Sequence, residues 1–265
     1  MTSAATIAEA SGRELVVIWC PDHHCEARLP DLLDYNGPYI EQRNTADALR
    51  DACPIRYNYM EIEGGAHHEE AILPPDETSD IFIRSAYSLI SPLTDFPREQ
   101  HFLRALRPSA AVVDLVASVP HPNPIAAHIR MGSGDGFEHL SYEAPENWPA
   151  ERQDELNEWR KKSNVGRFIA RFDELIAAGE ADSIFVAADL ERTYELLQDR
   201  YGARIRYLRR DLFDRSPEQL VYALADLLLL TAAPRFLAST WSSFSDIAQR
   251  LARPGRKIEQ SGTDF

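Results

Sequence analysis

Cysteine is scarce: Cys20, Cys25 and Cys53 are the only three in 265 residues. An odd number without framework spacing excludes a disulfide-stapled fold and reads as reduced thiols. Cations are also few, 28 Lys and Arg against 42 Asp and Glu, for a net charge of −14. That balance excludes a broad nucleic-acid surface, which must neutralise many phosphates. It leaves room for one nucleotide, because a single diphosphate needs only one or two local cations and some backbone N–H groups. Long apolar runs are missing too. The longest candidate, 220–237, is broken by Asp226, Pro234 and Arg235, so it falls short of the roughly 18 uninterrupted apolar residues that mark a membrane span. The opening residues 1–12 contain Glu9 and no basic stretch, unlike a secretory leader, and the expected location is cytoplasmic.

What is present is an ordinary globular composition, 44% hydrophobic and 26% charged, in a chain long enough for two domains. Thr2 to Ala10 reads as a helix stopped near Gly12, and Glu14 to Trp19 as a strand. Ile55 to Ile62 and Ile81 to Ile83 read as further strands, with an acidic, glycine- and proline-containing loop between them. From Arg98 to Val116 the apolar spacing turns helical, and the boundary between domains is placed there, giving 1–107 and 108–265. From Ile125 the pattern runs strand, helices, then strand and helix in turn: strands at 125–129, 183–188, 205–208 and 236–238, helices at 150–162, 168–178, 190–201, 216–231 and 245–251. Such alternation predicts a parallel sheet with helices on both faces.

Three chemically distinctive residue sets follow strands of that sheet, at the edge where open α/β sheets bind ligands. Arg130 comes first, after Ile125-Ala126-Ala127-His128-Ile129 and before Gly132, Gly134 and Gly136. A forked, permanently charged guanidinium suits a phosphate there; the other reading is a surface arginine before a loop. Asp189 comes second, after Ile184-Phe185-Val186-Ala187-Ala188. Its carboxylate could accept two hydrogen bonds from guanine, or it could cap the next helix. Third is Ser239-Thr240-Trp241-Ser242-Ser243-Phe244-Ser245, whose hydroxyls and backbone N–H groups suit an anion at a helix start, or simple capping.

Ala127-His128-Ile129-Arg130-Met131-Gly132, Ile184 to Asp189 and Ser242-Ser243-Phe244-Ser245 together resemble the three ordered peptide motifs of the fucosyltransferase superfamily. That group holds the nodulation α-1,6-fucosyltransferases and the protein O-fucosyltransferases. The resemblance covers most of 110–252, and Trp19-Cys20-Pro21-Asp22-His23-His24-Cys25 extends it. It implies an α/β, GT-B-like fold of two Rossmann-like domains, with an acceptor-side domain at 1–107 and a nucleotide-sugar domain at 108–265. It implies inverting transfer of fucose from GDP-fucose to a carbohydrate hydroxyl, with no metal and no cofactor besides that donor. Carried over, Arg130 contacts the β-phosphate and stabilises the leaving GDP, while His128 and Asp189 lie against guanine. Gly132, Ser242, Ser243 and Phe244 complete the donor site. An inverting transfer also needs a base, for which Glu138 is the first candidate and Asp135 the second, the other reading of each being a solvated loop acid.

Relatives of this kind begin with a strand and glycine-rich loop ahead of the first helix, whereas here Met1 opens that helix. The N-terminal domain is therefore expected to lack its first strand. This keeps two alternatives open, a non-catalytic GDP-sugar-binding remnant and a transferase of another GDP-sugar. Other motifs carry little. Asp22-His23-His24-Cys25 spells the palmitoyltransferase signature without the membrane spans or zinc-binding cysteines of that class. His67-His68 among acids could bind a metal opportunistically but reads as a solvated loop, and Gly132 to Gly136 lacks the Gly-Lys-Ser/Thr ending of a P-loop.

Overall fold

A computed structural model describes residues 1–23, 25–60, 70–74, 79–132, 150–214 and 216–265. The chain divides into two compact units, Met1–Arg107 and Pro108–Phe265.

Unit 1 contains α1 (Thr2–Ala10), β1 (Val17–Ile18), α2 (Leu29–Leu32), β2 (Leu33–Asp34), β3 (Tyr39–Ile40), α3 (Arg43–Ala52), β4 (Ile55–Tyr59), β5 (Ile81–Ser85) and α4 (Phe96–Ala105), and β6 (Arg107–Pro108) lies at the junction. Two parallel pairs form, β1 with β3 and β4 with β5. Ile7, Tyr59, Ile72 and Leu89 make its core. The strand expected over 14–19 shortens to Val17–Ile18. Helix α3 was invisible to apolar periodicity because Ala46 is its one buried residue.

Unit 2 contains α5 (Ala110–Ala117), β7 (Ile125–Ile129), α6 (Ala150–Lys162), α7 (Val165–Ala177), β8 (Ile184–Ala188), α8 (Glu191–Tyr201), β9 (Ile205–Arg206), α9 (Pro217–Ala232), β10 (Arg235–Ala238), α10 (Ser243–Leu251) and β11 (Lys257–Gln260). Its five strands are parallel, in the order β11-β10-β7-β8-β9. All residues of β7 and β8 are buried, as expected where helices cover both faces. Ala126, Phe185, Ala187, Phe236 and Ala238 pack with Val112, Ala225 and Leu229, from α5 and α9. Ile125, Ala127, Ile129, Ile184, Val186 and Leu237 face the opposite way, onto Phe168, Phe172 and Leu197 of α7 and α8.

Strand β11 escaped sequence reading because charge, not apolar alternation, writes it. Its buried Glu259 accepts from Arg171 Nε at 2.7 Å, with Lys257 and Arg235 at 3.1 and 3.4 Å. A charged edge strand of this sort also resists pairing with other chains.

The strand order positions the ligand edge. The chain lays β8 and β9 to one side of β7, then returns to add β10 and β11 on the other. The order thus reverses between β7 and β10, and such a switch point opens a crevice at the carboxyl ends of the two strands. Arg130 follows one of them and Ser239 the other.

Candidate functional site

Register brings the first two sites together. Ile129 pairs with Ala188 across β7 and β8, so the next residues, Arg130 and Asp189, project from the same face on neighbouring strands. Arg130 Nη1 donates to Asp189 Oδ2 at 2.7 Å, with side chains 20% and 17% exposed. The surface-arginine alternative is thereby removed. The carboxylate also accepts the N–H of Met131 at 3.1 Å on Oδ1 and that of Gly132 at 2.5 Å on Oδ2. Asp189 therefore holds both the guanidinium and the backbone just beyond it.

A carboxylate offers about four acceptor positions, and the chain itself uses three of those on Asp189. It is not a helix cap, because Leu190 holds the N-cap position of α8 without a side-chain bond. Sequence could not reveal this use, since it depends on which residue register sets opposite Arg130.

Gly132 is required by the same contact. A Cβ there would lie 2.5 Å from Asp189 Oδ2 and 3.0 Å from Arg130 Nη1. Gly132→Ala is expected to cost about 1–3 kcal/mol through overpacking, measured by chemical denaturation. A variant as stable as wild type, with unchanged ligand affinity, would show that the neighbours give way freely.

On the β10 side Ser239 joins the two strands of the switch point. Its hydroxyl donates to the His128 carbonyl and accepts the Arg130 N–H, both at 2.8 Å. Arg130 is thus held at its backbone by β10 and at its guanidinium by β8. The capping reading of the third set is also realised, because the Ser242 hydroxyl accepts the Ser245 N–H at the start of α10. Ser243 is exposed on the first turn, where helical N–H groups project toward ligands. Phe244 packs its ring 4.8 Å from that of His128.

His128 is buried, and its Nδ1 meets the Ser245 hydroxyl at 2.8 Å. Burial drives the imidazole down to about 3; Arg130 and Arg160 push the same way, while Asp189 opposes them. The ring is therefore neutral at physiological pH and ties β7 to α10. Trp241, between Thr240 and Ser242, has a left-handed φ of 48° and is 51% exposed. Its indole stacks on Trp159 of α6, with centroids 6.4 Å apart and planes 11° apart. No local signal announced that pairing, since 82 positions separate the partners.

Asp135 and Glu138, the base candidates, lie outside the described residues, as do His67 and His68. Among the described residues no group of three or more His, Cys, Asp or Glu is placed to hold a metal ion, and no helix is long and apolar enough to cross a membrane.

Solved structures share this architecture. POFUT1 in its apo form matches with a TM-score of 0.51 and 15% identity, over 98% of this chain and 92% of that one. NodZ α-1,6-fucosyltransferase soaked with GDP-fucose matches with a TM-score of 0.56 and 14% identity, over 95% and 86%. The chain has the fold of these fucosyltransferases. NodZ from Bradyrhizobium agrees, at a TM-score of 0.53 and 13% identity over 95% and 87%. The α/β, GT-B-like class expected from the motifs is thus the observed one. No protein-family model and no curated protein matches the sequence.

Proposed function

We propose that this chain is an inverting glycosyltransferase that moves fucose from GDP-fucose to a carbohydrate hydroxyl. The observation that carries the proposal is the braced Arg130, held by Asp189 and Ser239 at the switch point of the parallel sheet. Breaking a sugar–phosphate bond loads negative charge onto the departing diphosphate, and a cation already fixed in place stabilises that charge without reorganising. The start of α10 lies past the adjacent strand, where its first-turn N–H groups and dipole favour phosphate. Support for the nucleotide comes from the shared fold, since the NodZ structure was soaked with GDP-fucose and a POFUT1 structure is a complex with it.

In this mechanism Arg130 and the Ser243–Phe244 turn hold the diphosphate, and Asp189 orients Arg130. Gly132 lets the backbone approach that carboxylate. His128 and Ser242 fix the turn from behind. Glu138 is proposed as the base that takes the acceptor proton, with Asp135 second. The donor supplies all the group-transfer chemistry, so no separate cofactor enters the proposal.

Calorimetry with GDP, ADP and UDP tests the nucleotide, and GDP is expected to bind about tenfold or more tightly than the others, a difference of about 1.4 kcal/mol. Equal affinities would remove guanine selectivity. Release of GDP from GDP-fucose and from GDP-mannose, with and without glycan acceptors, then separates a fucosyltransferase from a transferase of another sugar. Binding without any release in every arm would mark a GDP-sugar binder and overturn the enzymatic reading.

A further inference from the structure

Behind Asp189 lies a buried polar cluster that the donor site does not use. Tyr194, on the first turns of α8, is 4% exposed, and its hydroxyl accepts the Ala188 N–H at 2.7 Å and donates to the carbonyl of the same residue at 2.9 Å. Arg210 Nη2 donates to that hydroxyl at 2.9 Å, and Arg210 Nη1 lies 2.7 Å from Asp226 Oδ2 on α9. The Arg210 and Asp226 side chains are 3% and 4% exposed. Rings of Tyr194, Phe213 and Tyr222 surround the guanidinium at 5.6–5.8 Å.

As a source of stability this arrangement is poor. Burying two charges costs several kcal/mol per ion before their attraction offsets it, and Arg210 Nε and Asp226 Oδ1 have no hydrogen-bond partner among the described residues. Apolar residues would fill the space as well. What the cluster does accomplish follows from the ladder. Asp189 N–H points toward β7, where it donates to the Ile129 carbonyl at 3.4 Å. The N–H and carbonyl of the preceding residue therefore point to the other side, toward β9. But β9 ends at Arg206, which pairs with Phe185, so among the described residues no strand stands opposite Ala188 on that side. The Tyr194 hydroxyl makes both bonds that a longer β9 would have made.

We propose that Tyr194, held in place by Arg210 and Asp226, is a positioning residue that substitutes for the missing strand and fixes the last peptide of β8, and so Asp189 and Arg130. Its bearing on transfer rests on the functional reading above; its effect on Asp189 does not. Amide hydrogen exchange without ligand reads that effect directly. In Tyr194→Phe, which keeps the ring, the Met131 and Gly132 amides that donate to Asp189 are expected to exchange about tenfold or more faster, while amides within β7 keep their protection. The double variant Arg210→Met/Asp226→Leu removes the buried charges and should loosen the same two amides. Unchanged exchange at Met131 and Gly132 in both variants would overturn the proposal. So would a uniform rise across the sheet, which marks general destabilisation. A double-mutant cycle on GDP affinity provides the functional arm: Tyr194→Phe should weaken binding in the wild type and add nothing in Asp189→Asn. If wild type binds no GDP, the donor reading fails while the exchange result still decides the positioning role. If GDP binds and the two effects add, Tyr194 does not act through Asp189.

Discussion

Arg130→Ala is expected to slow GDP release from GDP-fucose by about a hundred- to a thousandfold, the usual cost of removing one donor aimed at developing negative charge. Stability should change far less. The Arg130–Asp189 pair is partly exposed rather than sealed in the core, and Asp189 keeps its bonds to the Met131 and Gly132 N–H groups after truncation. Arg130→Lys distinguishes charge from geometry: an ammonium restores a positive charge but not a planar fork braced from one side, so partial recovery is expected. Steady-state GDP release and thermal melting measure the two consequences separately. Wild-type turnover in Arg130→Ala would withdraw the phosphate role, and loss of folding would show the pair to be structural first.

Acidification should expose the second large effect, through His128. Its folded pKa of about 3 lies below the ordinary 6.5 because burial penalises the charged ring. The unfolded chain takes up a proton below pH 6.5 that the folded chain refuses, so this contribution to stability is complete above pH 6.5 and is lost as pH falls toward 3. At about 1.4 kcal/mol per unit the window is worth up to about 5 kcal/mol. Asp226 works in the opposite sense. Burial raises it from 3.8 to about 6, so its contribution is present below about pH 4 and lost as pH rises through 6, up to about 3 kcal/mol. The net curve mixes the two, and the variant isolates one. Denaturant unfolding of wild type and His128→Gln from pH 7.5 to 4, a range chosen to bracket most of this window, should give curves that converge as pH falls, because only wild type carries the histidine penalty. Parallel curves would mean that His128 takes up its proton as readily in the folded protein as in the unfolded chain.

Much of unit 2 was legible because its helices and buried strands obey strong local rules. Ile125–Ile129 and Ile184–Ala188 are short apolar runs, and all ten of their residues are buried. Ser216-Pro217 reads as a helix start, and Ser216 does cap α9 by accepting the Gln219 N–H. Unit 1 was harder, since its strands β1 and β3 have two residues each and α3 buries little. With so few buried positions per element, a periodic signal has almost nothing to repeat.

The candidate site divides along a similar line. Sequence alone placed Arg130, Asp189 and the Ser239–Ser245 segment after strands, because apolar runs ending in polar residues mark where a chain leaves the sheet. It could not say which strand ends are neighbours. The order β10-β7-β8 and the Ile129–Ala188 register turned three separate residues into one braced cation, with Asp189 as the partner of Arg130. Periodicity encodes which face a residue occupies, whereas neighbours across strands are selected by packing of the whole sheet. For the same reason Tyr194, Arg210 and Asp226, spread over 33 positions, showed no shared purpose until the short β9 left the last peptide of β8 without a partner strand on that side.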